Sequence, residues 1–140
     1  MGTMHRARVL AFQIIYSWDF TKKSDPELLF ACARDLSPND FDASSEAYVK
    51  LTVCGTLENI QTIENCIKNH ITNWNFDRIS RIDLAILRLS VYGLLYQKDT
   101  DGNIIINEAV KLAQEFGGDD SYKFVNGILD SIYKENGHKN

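Results

Sequence analysis

The sequence predicts an all-α domain of about seven helices. Its apolar residues recur at three- and four-residue spacing over long stretches rather than in alternation. Only two prolines and eight glycines interrupt 140 residues, and a hydrophobic content of 44% with 11% aromatics is enough for one well-filled core.

Residues 5–22 read as the first helix, with Val9, Leu10, Phe12, Ile15, Tyr16 and Trp18 spreading apolar surface over more than one side, which predicts a central position. Ser24-Asp25-Pro26-Glu27 offers a cap and a proline at the first helical position, so Leu28 to Leu36 is expected as a short second helix, ended by Ser37-Pro38-Asn39-Asp40. Ser44 or Ser45 is the expected cap of a long third segment to about Ile71. Leu51, Val53, Leu57, Ile60, Ile63, Cys66, Ile67 and Ile71 repeat along it at helical spacing, and Gly55 is the place where it is expected to bend or split.

The Asn73-Trp74-Asn75-Phe76 loop leads to Ser80 and Asp83, which have capping-box spacing, and Ile82 to Tyr96 follows as a helix apolar almost all round. Asp99-Thr100-Asp101-Gly102-Asn103 is the clearest turn, and Ile104-Ile105-Ile106 is expected as an extended connector. Asn107 to Phe116 is amphipathic and is stopped by Gly117-Gly118. The last helix is expected to start near Asp120 or Ser121 and to bury Val125, Ile128, Leu129 and Ile132. The polar tail after Glu135 is expected to fray.

No run of about 18 apolar residues and no secretory leader pattern occurs, so a soluble cytoplasmic protein is expected. Cys32, Cys54 and Cys66 are odd in number and irregularly spaced, which reads as ordinary buried thiols rather than a disulfide framework. The formal net charge of -4 speaks against indiscriminate nucleic-acid binding, but the charges are segregated. Arg6, Arg8, Lys22 and Lys23 stand against Asp19 alone, whereas Asp25, Glu27, Asp35, Asp40, Asp42 and Glu46 stand against Arg34.

Catalytic chemistry finds little support. Cys66 and His70 are four apart, half a metal site, with no second pair at ligand spacing. No phosphate-cradling glycine loop is present, and neither a cofactor nor a metal is expected. Arg81 and Arg88 share a helical face and are expected to pair internally with acidic residues, because an unpaired buried charge is costly. The most informative segment is Asp119 to Asp130, where a helix start carries ring, cation and amide together, a mixture suited to binding a nucleotide rather than to bond chemistry.

Three blocks taken in order make the chain resemble the NusB family of bacterial transcription antitermination factors. The first is Arg6-Ala7-Arg8 with Gln13, Tyr16 and Trp18. The second is Ile82-Asp83-Leu84-Ala85-Ile86-Leu87-Arg88-Leu89 with Tyr92. The third runs from Ile106-Asn107-Glu108-Ala109-Val110-Lys111-Leu112-Ala113 through Phe116-Gly117 to Ser121-Tyr122-Lys123-Phe124-Val125-Asn126-Gly127-Ile128-Leu129-Asp130. The arginine block is thinner here than is common in that family.

The resemblance implies one RNA-binding domain over residues 1–140, made of two small helical subdomains at about 5–72 and 77–136, without enzymatic activity. It implies binding of boxA-type single-stranded RNA of ribosomal RNA leaders together with the ribosomal protein NusE, in the RNA polymerase antitermination complex with NusA and NusG. By position, Arg6 and Arg8 would meet phosphates, Gln13 and Tyr16 would face the same groove, Phe116 and Phe124 would stack on bases, and Asp120 and Lys123 would fall in the RNA-contacting segment.

Alternative roles stay open for several of these residues. Asp120 also fits a helix cap, and Phe116 and Phe124 also fit the core. Asn107 reads as structural, and Asn126 fits either role. Two other functions are compatible with the same residues: an RNA-recognition domain related to that of ribosomal RNA cytosine methyltransferases, and a helical adaptor with weak RNA affinity. A homodimer that hides the basic surface is also left open.

Overall fold

The computed structural model of the chain describes residues 3–21, 42–71 and 75–136. Among the described residues there are six α-helices, one 3₁₀ turn and no strand. The helices are α1 (Thr3–Thr21), α2 (Ala43–Glu58), α3 (Ile60–Asn69), α4 (Arg81–Tyr96), α5 (Gly102–Phe116) and α6 (Ser121–Asn136), with the 3₁₀ turn at Phe76–Arg78 before α4. The expected helix at 28–36 with its cap and closing turn, the Asn73-Trp74 part of the loop, and the last four residues of the tail lie outside the described residues.

Helix α4 is the hub of the fold and packs against all five of the other helices. Its sequence explains the position, since every residue from Asp83 to Leu94 is buried and all but Asp83, Arg88 and Ser90 are apolar or aromatic. Full burial of a side chain such as Ile86 or Leu87 contributes roughly 1.5–3 kcal/mol. The Ser80 hydroxyl accepts from the Asp83 amide at 3.1 Å, which is the expected cap. Val125, Ile128, Leu129 and Ile132 of α6 are all buried, as their spacing predicts.

Several details differ from the sequence reading. The cap of α2 is Asp42, whose carboxylate accepts from the Ser45 amide at 2.8 Å, and Ser45 itself is buried inside the helix. The break in the long segment falls at Asn59, not at Gly55. Gly55 is needed instead for a close approach, because a Cβ there would lie 2.3 Å from the Tyr92 hydroxyl oxygen. Leu51, counted with the apolar stripe, is 60% exposed.

Ile104-Ile105-Ile106 is not a connector but the first turn of α5. Asp101 caps that turn through its carboxylate and the Asn103 amide at 2.9 Å, and Ile105 and Ile106 are buried. Asn107, read as structural and as the start of a helix, is therefore an exposed residue of the second turn.

Arg88 pairs internally, as its place in an apolar helix predicts. It is fully buried, lies 3.1 Å from Asp19 of α1, donates from Nε to Glu64 of α3 at 3.0 Å, and stacks on Trp18 with its guanidinium carbon 5.4 Å from the ring centre. Arg81 also pairs internally, donating to the same Asp19 at 2.7 Å, but from a position 56% exposed. One buried carboxylate thus ties α1 to both ends of the first two turns of α4.

Burial alone would raise the Asp19 carboxyl, but hydrogen bonds and charge from Arg88, then Arg81, outweigh it and hold the group below the ordinary carboxylate range. A group with its folded pKa depressed adds stability above its unfolded value, about 3.9, and loses it as pH falls through the folded value. Urea unfolding midpoints are therefore expected to hold from neutral pH down to about 4 and to drop below that. Asp19→Asn is expected to start from lower stability and to show a shallower acid loss.

Candidate nucleic-acid interface

Helical geometry separates the two arginines of the first block. At roughly 100° per residue, positions two apart in α1 point about 200° away from each other, whereas positions seven apart coincide. Arg6 and Gln13 are both exposed and fall on one line along the helix, with the half-buried Tyr16 beside it. Arg8 faces the other way. Its side chain is only 17% exposed, lies 3.7 Å from Glu108 of α5 and stacks on Tyr48 of α2 at 5.7 Å.

Glu108 gathers several nitrogen donors. It lies 3.2 Å from His5 Nδ1 and 3.3 Å from Lys111, and His5 Nε2 in turn is 3.5 Å from Glu115. Burial would raise the Glu108 carboxyl, but the His5 and Lys111 hydrogen bonds and the charge of Arg8 and Lys111 hold it low. Sequence reasoning missed this partner for Arg8. The two are a hundred residues apart, so no local spacing could signal it.

The aromatic residues are brought together by Phe12. Buried in the core at 3% exposure, it meets Phe116 at 5.1 Å and Tyr16 at 6.3 Å between ring centres. Phe116 is half-buried, so it serves the core and still presents part of its ring outward. Because Phe116 is the last residue of α5, this contact seats the Gly117-Gly118-Asp119-Asp120 loop beside the middle of α1.

The start of α6 is arranged by that loop. The Ser121 hydroxyl accepts from the Gly118 amide at 2.9 Å, and the Asp120 carbonyl takes the Lys123 and Phe124 amides at 3.1 and 3.2 Å. Asp120 therefore sits at the cap position through its backbone, while its carboxylate is 87% exposed and 3.9 Å from the Lys123 ammonium. Lys123 is 67% exposed, with its ammonium 5.9 Å from the Tyr122 ring centre. Phe124 is half-buried against the core, and Asn126 is exposed.

What results is an outward line of cation, amide and phenol on α1, joined by the Phe12 and Phe116 rings to a loop with an exposed carboxylate and a first turn of α6 with an exposed ammonium. Such a surface can bind and orient. Among the described residues no group of three or more His, Cys, Asp or Glu could hold a metal ion. Cys66 is turned away from nucleophilic use, since burial and then the charge of Glu135 push its thiol up. Among the described residues, no helix is long and apolar enough to cross a membrane.

Comparison with known proteins places this architecture. The model of the NusB family matches residues 5–134. The transcription antitermination protein NusB of Treponema denticola is 48% identical over 128 residues, covering 91% of this chain and 93% of that protein. NusB of Borreliella burgdorferi is 37% identical over 135 residues, covering 94% of each.

Among solved structures, T. maritima NusB superposes with a TM-score of 0.86 at 30% identity, covering 96% of this chain and 92% of that one. A chain from a crystal structure of the antitermination factors NusB and NusE in complex with dsRNA also gives a TM-score of 0.86, at 27% identity over 96% of this chain and 98% of that one. These relatives are named as transcription antitermination proteins rather than as enzymes. With its matched blocks, its helical fold and these relatives in agreement, the chain belongs to the NusB family.

Proposed function

We propose that this protein is a cytoplasmic RNA-binding antitermination factor that holds boxA-type single-stranded RNA together with NusE, within the polymerase complex that includes NusA and NusG. The observation that carries the RNA reading is the line of Arg6, Gln13 and Tyr16 along α1, coupled through Phe12 and Phe116 to the loop that opens α6. Single-stranded RNA is read by stacking unstacked bases on aromatic rings and by hydrogen bonds to exposed base edges. In this reading Arg6 and Lys123 meet phosphates, and Phe116 and Tyr16 offer rings. Asp120 accepts from a base amino group, which gives a sequence preference that a lysine on a phosphate cannot. Phe124 backs this surface from the core side.

The pairing with NusE is supported by the structural similarity to the NusB chain solved with NusE and RNA. A boxA strand is expected to bind more tightly than a scrambled strand of the same composition, and more so with NusE present. Equal binding of the two strands in both states would overturn the reading.

The two arginines are expected to behave differently. Arg6→Ala is expected to reduce the slope of log affinity against log salt by about 0.7, one phosphate contact on a single strand. Arg8→Ala is expected to leave that slope nearly unchanged and to lower the unfolding midpoint, because Glu108 loses a partner. Titrations at several salt concentrations with parallel thermal unfolding check both.

A further inference from the structure

We propose that the cleft between α2 and α5, floored by the end of α4, binds an uncharged nucleobase that carries an exocyclic amino group, adenine first. The site lies apart from the α1 and α6 face and does not depend on the reading of that face. The cleft encloses about 440 Å³, with Tyr48 and Leu51 on the α2 wall, Ile105 on the α5 wall and Met4 of α1 at one end. That volume falls in the range of small-molecule sites. Met4, Leu51 and Tyr96, three of the five large apolar residues left exposed among the described residues, meet here. Apolar surface gathered in one recess marks a binding site, whereas single exposed residues need no explanation.

The ring that would carry the base is already fixed. Tyr92 is buried and fills the space that a Cβ at Gly55 would take. Tyr96 stacks on Tyr92 at 5.3 Å between centres and 27° between planes, and is itself 44% exposed. A base laid on Tyr96 extends an existing stack with little further ordering.

Polar groups beside the rings suit an amino-bearing edge. Gln97 donates to the Thr52 hydroxyl at 3.4 Å, a long bond that leaves its carbonyl and second N–H for a ligand. A glutamine amide sets one donor beside one acceptor, which matches N7 and N6 of adenine. The exposed Asp99 also lines the cleft and can accept from an amino group. Uracil has no amino group for it.

Charge decides between a base and a phosphate. Among the described residues that line the cleft, Arg8 is the single cation, and it is engaged by Glu108 at 3.7 Å and by the Tyr48 ring. Asp99 adds a negative charge, so the cleft disfavours a phosphate and takes the base alone.

The test follows backbone amide shifts of the full chain by NMR during separate titrations with adenosine, uridine and adenosine monophosphate. Adenosine is expected to shift the amides of Leu51, Tyr96 and Gln97 together. Uridine is expected to bind about fivefold more weakly or worse, and the monophosphate no more tightly than adenosine. Tyr96→Ala is expected to weaken adenosine binding by about 10-fold, the loss of one stack, and Tyr96→Phe to stay within about twofold of wild type. Gln97→Leu is expected to reduce the preference for adenosine over uridine. Unfolding midpoints confirm that the variants fold.

The affinity of Tyr96→Ala for boxA RNA distinguishes the source of the base: a parallel loss means that an RNA strand supplies it, and an unchanged value means a free nucleoside. Adenosine shifts confined to Gln13, Tyr16 and Lys123, or an adenosine affinity unchanged in Tyr96→Ala, would overturn the proposal. Shifts of the cleft amides by a tryptophan-bearing peptide with none by adenosine would assign the cleft to a protein side chain and overturn it as well. If wild type binds adenosine in the cleft but no boxA RNA, the RNA reading falls and the nucleobase site stands.

Discussion

Replacing Arg88 with alanine is expected to lower the unfolding free energy by about 3–5 kcal/mol, because it leaves two acidic groups without their buried partner. Asp19 is 4% exposed, and Glu64 accepts from the Arg88 Nε at 3.0 Å. Removing the cation also removes the larger part of what holds the Asp19 carboxyl low, leaving Arg81 alone to oppose the upward push of burial. Arg88→Lys keeps the charge but not the planar fork that reaches Asp19 and Glu64 together, so it is expected to recover only part of the loss. Arg81→Ala is expected to cost less than Arg88→Ala, since Arg81 is itself exposed. Urea unfolding of the three variants orders them. If Arg88→Ala lies within 1 kcal/mol of wild type, on the order of an exposed pair, the ion cluster does not hold α1 to α4 as described.

The second large effect belongs to Phe12, which joins the core to the proposed RNA face. Phe12→Ala is expected to cost about 3–5 kcal/mol, as deletion of a buried phenylalanine side chain does. It is also expected to weaken RNA binding, because Phe116 and Tyr16 lose the ring that backs them at 5.1 and 6.3 Å. Phe12→Leu separates the two consequences. It restores most of the buried volume at a cost of about 1.5 kcal/mol or less, but it supplies no flat surface for the two rings. Stability near wild type with reduced RNA affinity is the expected result for that variant. Unchanged affinity in Phe12→Ala at a temperature where it is folded would mean that the rings are not used.

The fold was legible wherever burial is written into helical periodicity. Ile82 to Tyr96 reads as a helix apolar on all sides because it packs against every other described helix, and no other placement would cover it. The last helix was legible for the same reason. What escaped is what only tertiary contact decides. Three isoleucines in a row after a turn favour a strand on local grounds, yet Asp101 caps a helix there and α4 covers Ile105 and Ile106. Gly55 looks like a hinge in sequence, but its missing Cβ is filled by the Tyr92 ring.

The candidate site divides in the same way. Exposure of Lys123 and partial burial of Phe124 follow from their places in α6, and the opposite facing of Arg6 and Arg8 follows from helical spacing alone. The engagement of Arg8 by Glu108 does not follow from it, because it needs a partner from a distant helix.

The most direct test of the RNA face is ultraviolet crosslinking of boxA RNA to the protein bound to NusE, followed by tryptic mapping. The proposed face predicts crosslinks in the peptide 9–22, which carries Gln13 and Tyr16, and in the peptide 112–123, which carries Phe116 and Asp120. Crosslinks confined to the peptides 51–68 and 99–111, with none on α1, would contradict it.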